Sequence, residues 1–172
     1  MIKSHYGLIG KTLGHSFSKG YFTEKFQEQN INSSYNNYEI ETIDKVVDLF
    51  KIEGLKGLNV TIPYKESIIP FLDEVDEVAL AVGAVNTILI ENGKTKGFNT
   101  DVFGFKQMIK PFFKSHHQRG IILGTGGASK AIEYVLRNLG CDPIFISRNP
   151  IGENQFSYDD INEYMIEACP LI

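Results

Sequence analysis

The chain has 172 residues, 42% of them hydrophobic and 22% charged, with a formal net charge of −4. That length fits one large domain or two small ones. The acidic balance and the lack of any Lys/Arg cluster exclude an electrostatic nucleic-acid binder, so no nucleic-acid partner is expected. No apolar run is long enough to cross a bilayer, and the first residues lack the apolar stretch of a signal peptide, so no membrane partner is expected either. Cys141 and Cys169 stand alone and the four histidines fit no ligand spacing. No disulfide framework or metal centre is readable, and a cytosolic (cytoplasmic) protein is expected.

In chain order, His5 to Ile9 reads as a buried strand ending at Gly10. Phe22 and Phe26, four apart, mark a helix face with Ser18 as its expected cap. Tyr35 to Ile40 reads as a second strand. Ile43, Val46, Val47 and Phe50 follow helical spacing. Leu58, Val60 and Ile62 alternate with Asn59 and Thr61, the period of a strand with one polar face. Pro63 suits the first turn of a helix, which puts Lys65 near a helix N-terminus. Helical stretches follow through Leu80. Asn92-Gly93 then joins Thr87–Glu91 to Lys94–Phe98 as a type I′ hairpin, which makes the first sheet mixed.

A helix with Phe105, Met108, Ile109 and Phe112 on one face follows. The polar stretch 114–119 is the best linker candidate. Beyond it, Gly120 to Leu123 reads as a strand, and Ile132, Val135, Leu136 and Leu139 as a helix closed by Gly140. Pro143 to Ile146 is a second strand, and Ile161, Tyr164, Met165 and Ala168 mark another helix. Pro170-Leu171-Ile172 enters a further strand. A βαβα unit ending there lacks half of a doubly wound sheet.

Several polar groups sit where chemistry is possible. A lysine at a helix N-terminus gives up its proton more easily than a surface lysine, and Lys65 at a strand end suits proton transfer to a bound hydroxylated molecule. A solvated surface lysine is the plain alternative. Ser16 and Ser18, after Gly14-His15, offer two hydroxyls at a helix start, an arrangement suited to a carboxylate. Asn86 puts an amide at the start of the hairpin, and Asp101 a carboxylate at the start of the next helix. Taken alone, Ser18 and Asp101 read as helix caps.

Gly124-Thr125-Gly126-Gly127-Ala128-Ser129 follows a strand and opens a helix. There the glycines permit a tight turn and close approach of backbone to a pyrophosphate. NAD-selective sites place an acid at the end of the second strand, but here that place reads Ser147-Arg148-Asn149. Arg148 can pair with a 2′-phosphate, which favours NADP over NAD.

The segments Gly14–Ser18, Asn59–Lys65, Gly83–Thr87, Gly97–Asp101 and Gly124–Ala128 together resemble the shikimate dehydrogenase family, in its order and over nearly the whole chain. The resemblance implies an α/β fold: an N-terminal mixed-sheet substrate domain followed by an incomplete Rossmann-like NADP-binding domain. Residues 1–100 would form the substrate-binding catalytic domain, and residues 101–172 the first βαβα portion of the NADP-binding one. It also implies NADP-dependent interconversion of 3-dehydroshikimate and shikimate, a step towards chorismate and the aromatic amino acids. Lys65 and Asp101 would be the catalytic pair, Ser16 and Ser18 would bind the substrate carboxylate, and Asn59, Thr61, Asn86 and Asp101 the ring hydroxyls. Gly124, Thr125, Gly126, Gly127 and Ala128 would hold the pyrophosphate of NADP, and Ser147, Arg148 and Asn149 its 2′-phosphate end. Quinate/shikimate dehydrogenases share the lysine–aspartate pair, and a catalytically silent shikimate-binding fragment is a further alternative. The chain is shorter than the family pattern, so truncation is expected, with NADPH oxidation by residues 1–172 alone absent or severely reduced. Monomer and homodimer both fit.

Overall fold

A computed structural model describes residues 4–172, which divide after Asn99 into two compact units. In the first unit, strands β1 (Ser4–Gly10), β2 (Ser33–Glu39), β3 (Leu55–Val60), β4 (Glu74–Val75), β5 (Thr87–Glu91) and β6 (Lys94–Phe98) form one sheet in the order β2-β1-β3-β5-β6-β4. β1 runs parallel to both β2 and β3, whereas β5 is antiparallel to β3 and β6, so the sheet is mixed. Asn92 and Gly93 have φ of 52° and 76°, the left-handed pair that a type I′ turn requires.

Alternation along β1 serves two cores, because successive side chains point to opposite faces. Leu8 packs with Tyr35, Leu13, Tyr6, Phe22 and Phe26 under α1 (Phe17–Glu28). Ile9 joins Val46, Leu58, Val60, Tyr64, Ile68, Val85 and Ile88 on the other side. The short helices α2 (Val46–Leu49) and α3 (Glu77–Val82) complete this unit. The expected helical face over 43–50 is a 3-10 turn followed by α2, and Val47 is exposed rather than buried. So short an element has no continuous stripe to bury.

The second unit begins with α4 (Asp101–Ile109), followed by β7 (Arg119–Leu123), α5 (Gly127–Asn138), β8 (Asp142–Ile146), β9 (Gln155–Phe156) and α6 (Glu163–Ala168). Its sheet is parallel, in the order β7-β8-β9, and Leu171 bridges Gly120 in parallel on the free side of β7. Strands thus depart from β7 in both directions, the topology that opens a crevice at the carboxyl end of the central strand. α5 ends in a Schellman motif: the N–H groups of Gly140 and Cys141 donate to the carbonyls of Arg137 and Leu136 at 3.0 and 2.9 Å.

Three expectations fail here. The stretch 114–119 lies inside the second unit and is no domain linker, because Phe105 before it and Phe113 beside it pack on Ile122, Leu136 and Cys141. α4 stops at Ile109, leaving Met108 and Phe112 exposed where a longer apolar face was expected. Tyr164 of α6 is exposed too, while Ile161 and Met165 reach the core. Among the described residues no helix is long and apolar enough to cross a membrane.

Candidate functional site

Asn59 near the carboxyl end of β3, Thr61 and Lys65 just after that strand and Asn86 just before β5 stand at one end of the sheet, while Ser16 and Ser18 follow β1. Ser16 N–H donates to Leu13 O at 2.9 Å, closing the turn that contains Gly14 and His15. Ser16 then caps α1, its hydroxyl oxygen accepting from Ser18 N–H at 3.3 Å. The expected cap was Ser18. The helix instead starts at Phe17, so Ser18 already has helical backbone and its hydroxyl is released from capping.

β3 ends at Val60, and Ile62 is exposed rather than continuing the strand. Thr61 N–H donates to Ile9 O at 2.9 Å, and Tyr64 N–H closes back on Thr61 O at 2.9 Å across a cis Ile62–Pro63 peptide. No helix begins at Lys65: the chain passes through turns into a 3-10 segment, Ile69–Phe71. The helix-dipole argument for Lys65 therefore has no helix to act through, and the proline serves a tight turn instead. That turn is anchored from below. Tyr64 Oη donates to the buried Ile40 carbonyl at 2.7 Å, and burial raises the phenol's pKa. The Lys65 carbonyl in turn accepts from Val85 N–H at 2.7 Å, which fastens the lysine to the segment carrying Asn86.

Asn86 itself is tied to both neighbours, its N–H donating to Phe98 O at 3.0 Å and its carbonyl accepting from Val60 N–H at 2.8 Å. Asn99 Nδ2 donates to Ala84 O at 2.9 Å from a buried position, closing the same end of the sheet. Asn59, Thr61, Lys65 and Asn86 are thus brought together by backbone bonds within one unit. Side chains link two of them: Asn59 Nδ2 donates to Thr87 Oγ1 at 3.3 Å, and Thr87 Oγ1 to Asn86 Oδ1 at 3.0 Å. Asn59 and Thr87 also line a groove of about 400 Å³ with Tyr6, Phe22, Tyr35 and Phe98. Ser16 lines a separate depression with Lys19, Asn37 and Glu39. Asp101 belongs to the second unit, where it is the first residue of α4 and Thr100 is the N-cap.

In the second unit the glycine turn follows β7 and Gly126 caps α5. Gly124 has φ of 107°, a conformation that side-chain-bearing residues avoid, so glycine is needed there. Ser129 N–H turns back onto Gly126 O at 2.9 Å, which leaves the N–H groups of Gly127 and Ala128 without an intrahelical acceptor at the helix start. Thr125 Oγ1 lies 3.5 Å from Ser147 Oγ, which brings this turn against the end of β8. Ser147 Oγ also accepts from Asn149 N–H at 3.2 Å, while Arg148 is exposed. No carboxylate stands in the stretch 147–149. The residues present fit a dinucleotide with a phosphorylated ribose.

Residues 8–88 match the family model of the shikimate dehydrogenase substrate binding domain. Over 149 residues the chain is 44% identical to a protein of Halothermothrix orenii named shikimate dehydrogenase (NADP(+)), covering 81% of this chain and 50% of that one. The crystal structure of shikimate dehydrogenase 1 from Peptoclostridium difficile superposes with a TM-score of 0.79 at 37% identity, over 91% of this chain and 61% of that one. The chain belongs to the shikimate dehydrogenase family. Another member of the shikimate dehydrogenase family, from Thermus thermophilus and solved with NADP(H) and shikimate, superposes at a TM-score of 0.73 and 28% identity, over 86% of this chain and 57% of that one. This chain spans about half the length of the Halothermothrix orenii relative.

Sequence reading missed Tyr35 and Thr87 as site residues. Tyr35 reads only as a strand aromatic, yet its hydroxyl donates to Asn59 Oδ1 at 2.8 Å and burial pushes its pKa up to about 12. Thr87 ends the segment Gly83–Thr87, and only the fold shows that it joins two amides.

Proposed function

We propose that this chain carries the substrate site and part of the cofactor site of a cytosolic NADP-dependent shikimate dehydrogenase, which interconverts 3-dehydroshikimate and shikimate. The observation that carries this reading is the convergence of Asn59, Thr61, Lys65 and Asn86 at one end of the mixed sheet in a member of this family. Polyhydroxylated carboxylates need several donors and acceptors in fixed positions, and amides, hydroxyls and an ammonium supply them.

Ser16 and Ser18 would take the substrate carboxylate, and Asn59, Thr61, Asn86 and Asp101 its ring hydroxyls. Lys65 would stabilise the negative charge that develops on the ketone oxygen and deliver its proton there; in the reverse direction it would accept the proton from the hydroxyl. Asp101 would orient the lysine. Gly124, Thr125, Gly126, Gly127 and Ala128 would cradle the pyrophosphate, with Ser147, Arg148 and Asn149 at the 2′-phosphate. NADPH supplies the hydride when bound. Arg148 and the lack of an acid beside it favour this reading over an NAD-dependent quinate dehydrogenase, although one neighbour, from Corynebacterium glutamicum, is a quinate dehydrogenase in complex with NAD (TM-score 0.74, 30% identity).

Calorimetric titration of the chain with shikimate, NADPH and NADH tests this. Shikimate should bind, and NADPH should bind more tightly than NADH. Lys65→Ala should leave the shikimate dissociation constant little changed while lowering by orders of magnitude whatever turnover the wild-type chain supports. A wild-type chain that takes up no shikimate defeats the assignment.

A further inference from the structure

Tyr35 lies on β2, an edge strand, outside every segment that carries the family resemblance. It is only 4% exposed, and its ring stacks on Phe22 of α1 at a centroid distance of 4.6 Å and 13° between planes. The stack fixes where its oxygen points. That oxygen donates to Asn59 Oδ1 at 2.8 Å. One phenol therefore touches side chains from α1 and from β3.

A primary amide has two ends of equal shape and opposite hydrogen-bonding character, so its neighbours decide which end faces a ligand. The hydroxyl of Tyr35 occupies Asn59 Oδ1 as a donor. Asn59 Nδ2 is then the end that donates to Thr87 Oγ1 at 3.3 Å. Thr87 has a single proton, and with its oxygen accepting from Asn59 that proton goes to Asn86 Oδ1 at 3.0 Å. Donor and acceptor roles along the row follow from the first bond.

We propose that Tyr35 is a positioning residue whose hydroxyl sets the orientation of the Asn59 amide and, through Thr87, that of Asn86. This rests on the reading of Asn59 and Asn86 as binders of substrate hydroxyls. It acts by polarising and holding groups that bind substrate, in a half-buried row where each hydrogen bond strengthens the next.

Tyr35→Phe keeps the ring and its stack and deletes one oxygen. The shikimate dissociation constant should rise ~5–30-fold, the loss expected for one well-made hydrogen bond. Combined with Asn59→Ala, the same substitution should have little further effect, because the two act as one unit. Full additivity in that double-mutant cycle overturns the proposal, whatever happens to thermal stability. Thr87→Val breaks the row one link later and should reproduce the loss; unchanged affinity in that variant also overturns it. Side-chain amide NMR signals of Asn59 in the ligand-free protein give a reading independent of substrate. They should shift in Tyr35→Phe, and unmoved signals sink the positioning role. A wild-type chain that binds no shikimate, yet shows the amide shift, sinks the substrate assignment and leaves the positioning role standing.

Discussion

Tyr64→Phe tests whether Lys65 is held by a tertiary anchor. The residues on both sides of the Tyr64 Oη–Ile40 O bond are buried, at 5% and 7% exposure, and the bond is 2.7 Å long. Phenylalanine fills the same space, so no cavity forms. What remains is a buried carbonyl deprived of this donor, a change that costs ~1–3 kcal/mol. For a unit of this size each kcal/mol lowers the melting temperature by ~4–8 °C, so the first unit should melt ~5–20 °C earlier. The loss also frees the turn that holds the Lys65 carbonyl on Val85 N–H, so function should suffer beyond stability. Differential scanning calorimetry reads the first effect. A shikimate titration well below the new melting temperature reads the second, and should show an affinity loss of at least several-fold. A variant with wild-type melting and wild-type affinity would remove the anchor from the account and leave the position of Lys65 unexplained.

Arg148→Ala should weaken NADPH binding ~10–100-fold by removing a charge-assisted contact to the 2′-phosphate, with NADH affinity little altered; equal losses for both dinucleotides would contradict that role. Gly7→Ala should destabilise the first unit by ~1–3 kcal/mol, because its methyl would collide with the Tyr38 ring and sit 2.5 Å from the Asn36 carbonyl of the partner strand, and denaturant titration reads the change. Asp73 accepts from Thr95 N–H at 2.7 Å and from Thr95 Oγ1 at 2.8 Å, and these bonds hold its pKa below the usual carboxylate range. Its contribution is therefore present above the unfolded value of ~4 and is lost as pH falls through the lower folded value. Between those values the wild type should lose stability with acid more steeply than Asp73→Asn, and parallel pH curves would refute the linkage.

Much of the fold is legible in local pattern. The strand at His5–Ile9 and the hairpin at Asn92-Gly93 follow from apolar run and left-handed turn chemistry, and they reappear at the expected places. The glycine turn at 124 is equally local. The differences lie where spacing alone implies a buried helical face: Pro63 stands in a tight turn instead, and Val47 and Met108 are exposed on α2 and α4. Ile40 reaches up to Tyr64 across 24 positions, and Phe113 packs on Ile122 and Leu136 beyond the supposed linker.

By itself the order of residues determined the longer strands, the hairpin and the glycine turn, which small polar groups stand at their ends, and that an arginine occupies the place of the acid after the second strand of the glycine-turn unit. Those properties depend on neighbours within a few positions, where steric and hydrogen-bonding preferences act directly. Only the tertiary structure decided that a turn, rather than a helix, delivers Lys65 and that Val85 pins it beside Asn86. Only the tertiary structure decided, too, that Tyr35 and Thr87 complete the row of amides, because these contacts join residues 20 or more apart along the chain and exist only once the sheet has aligned its strands.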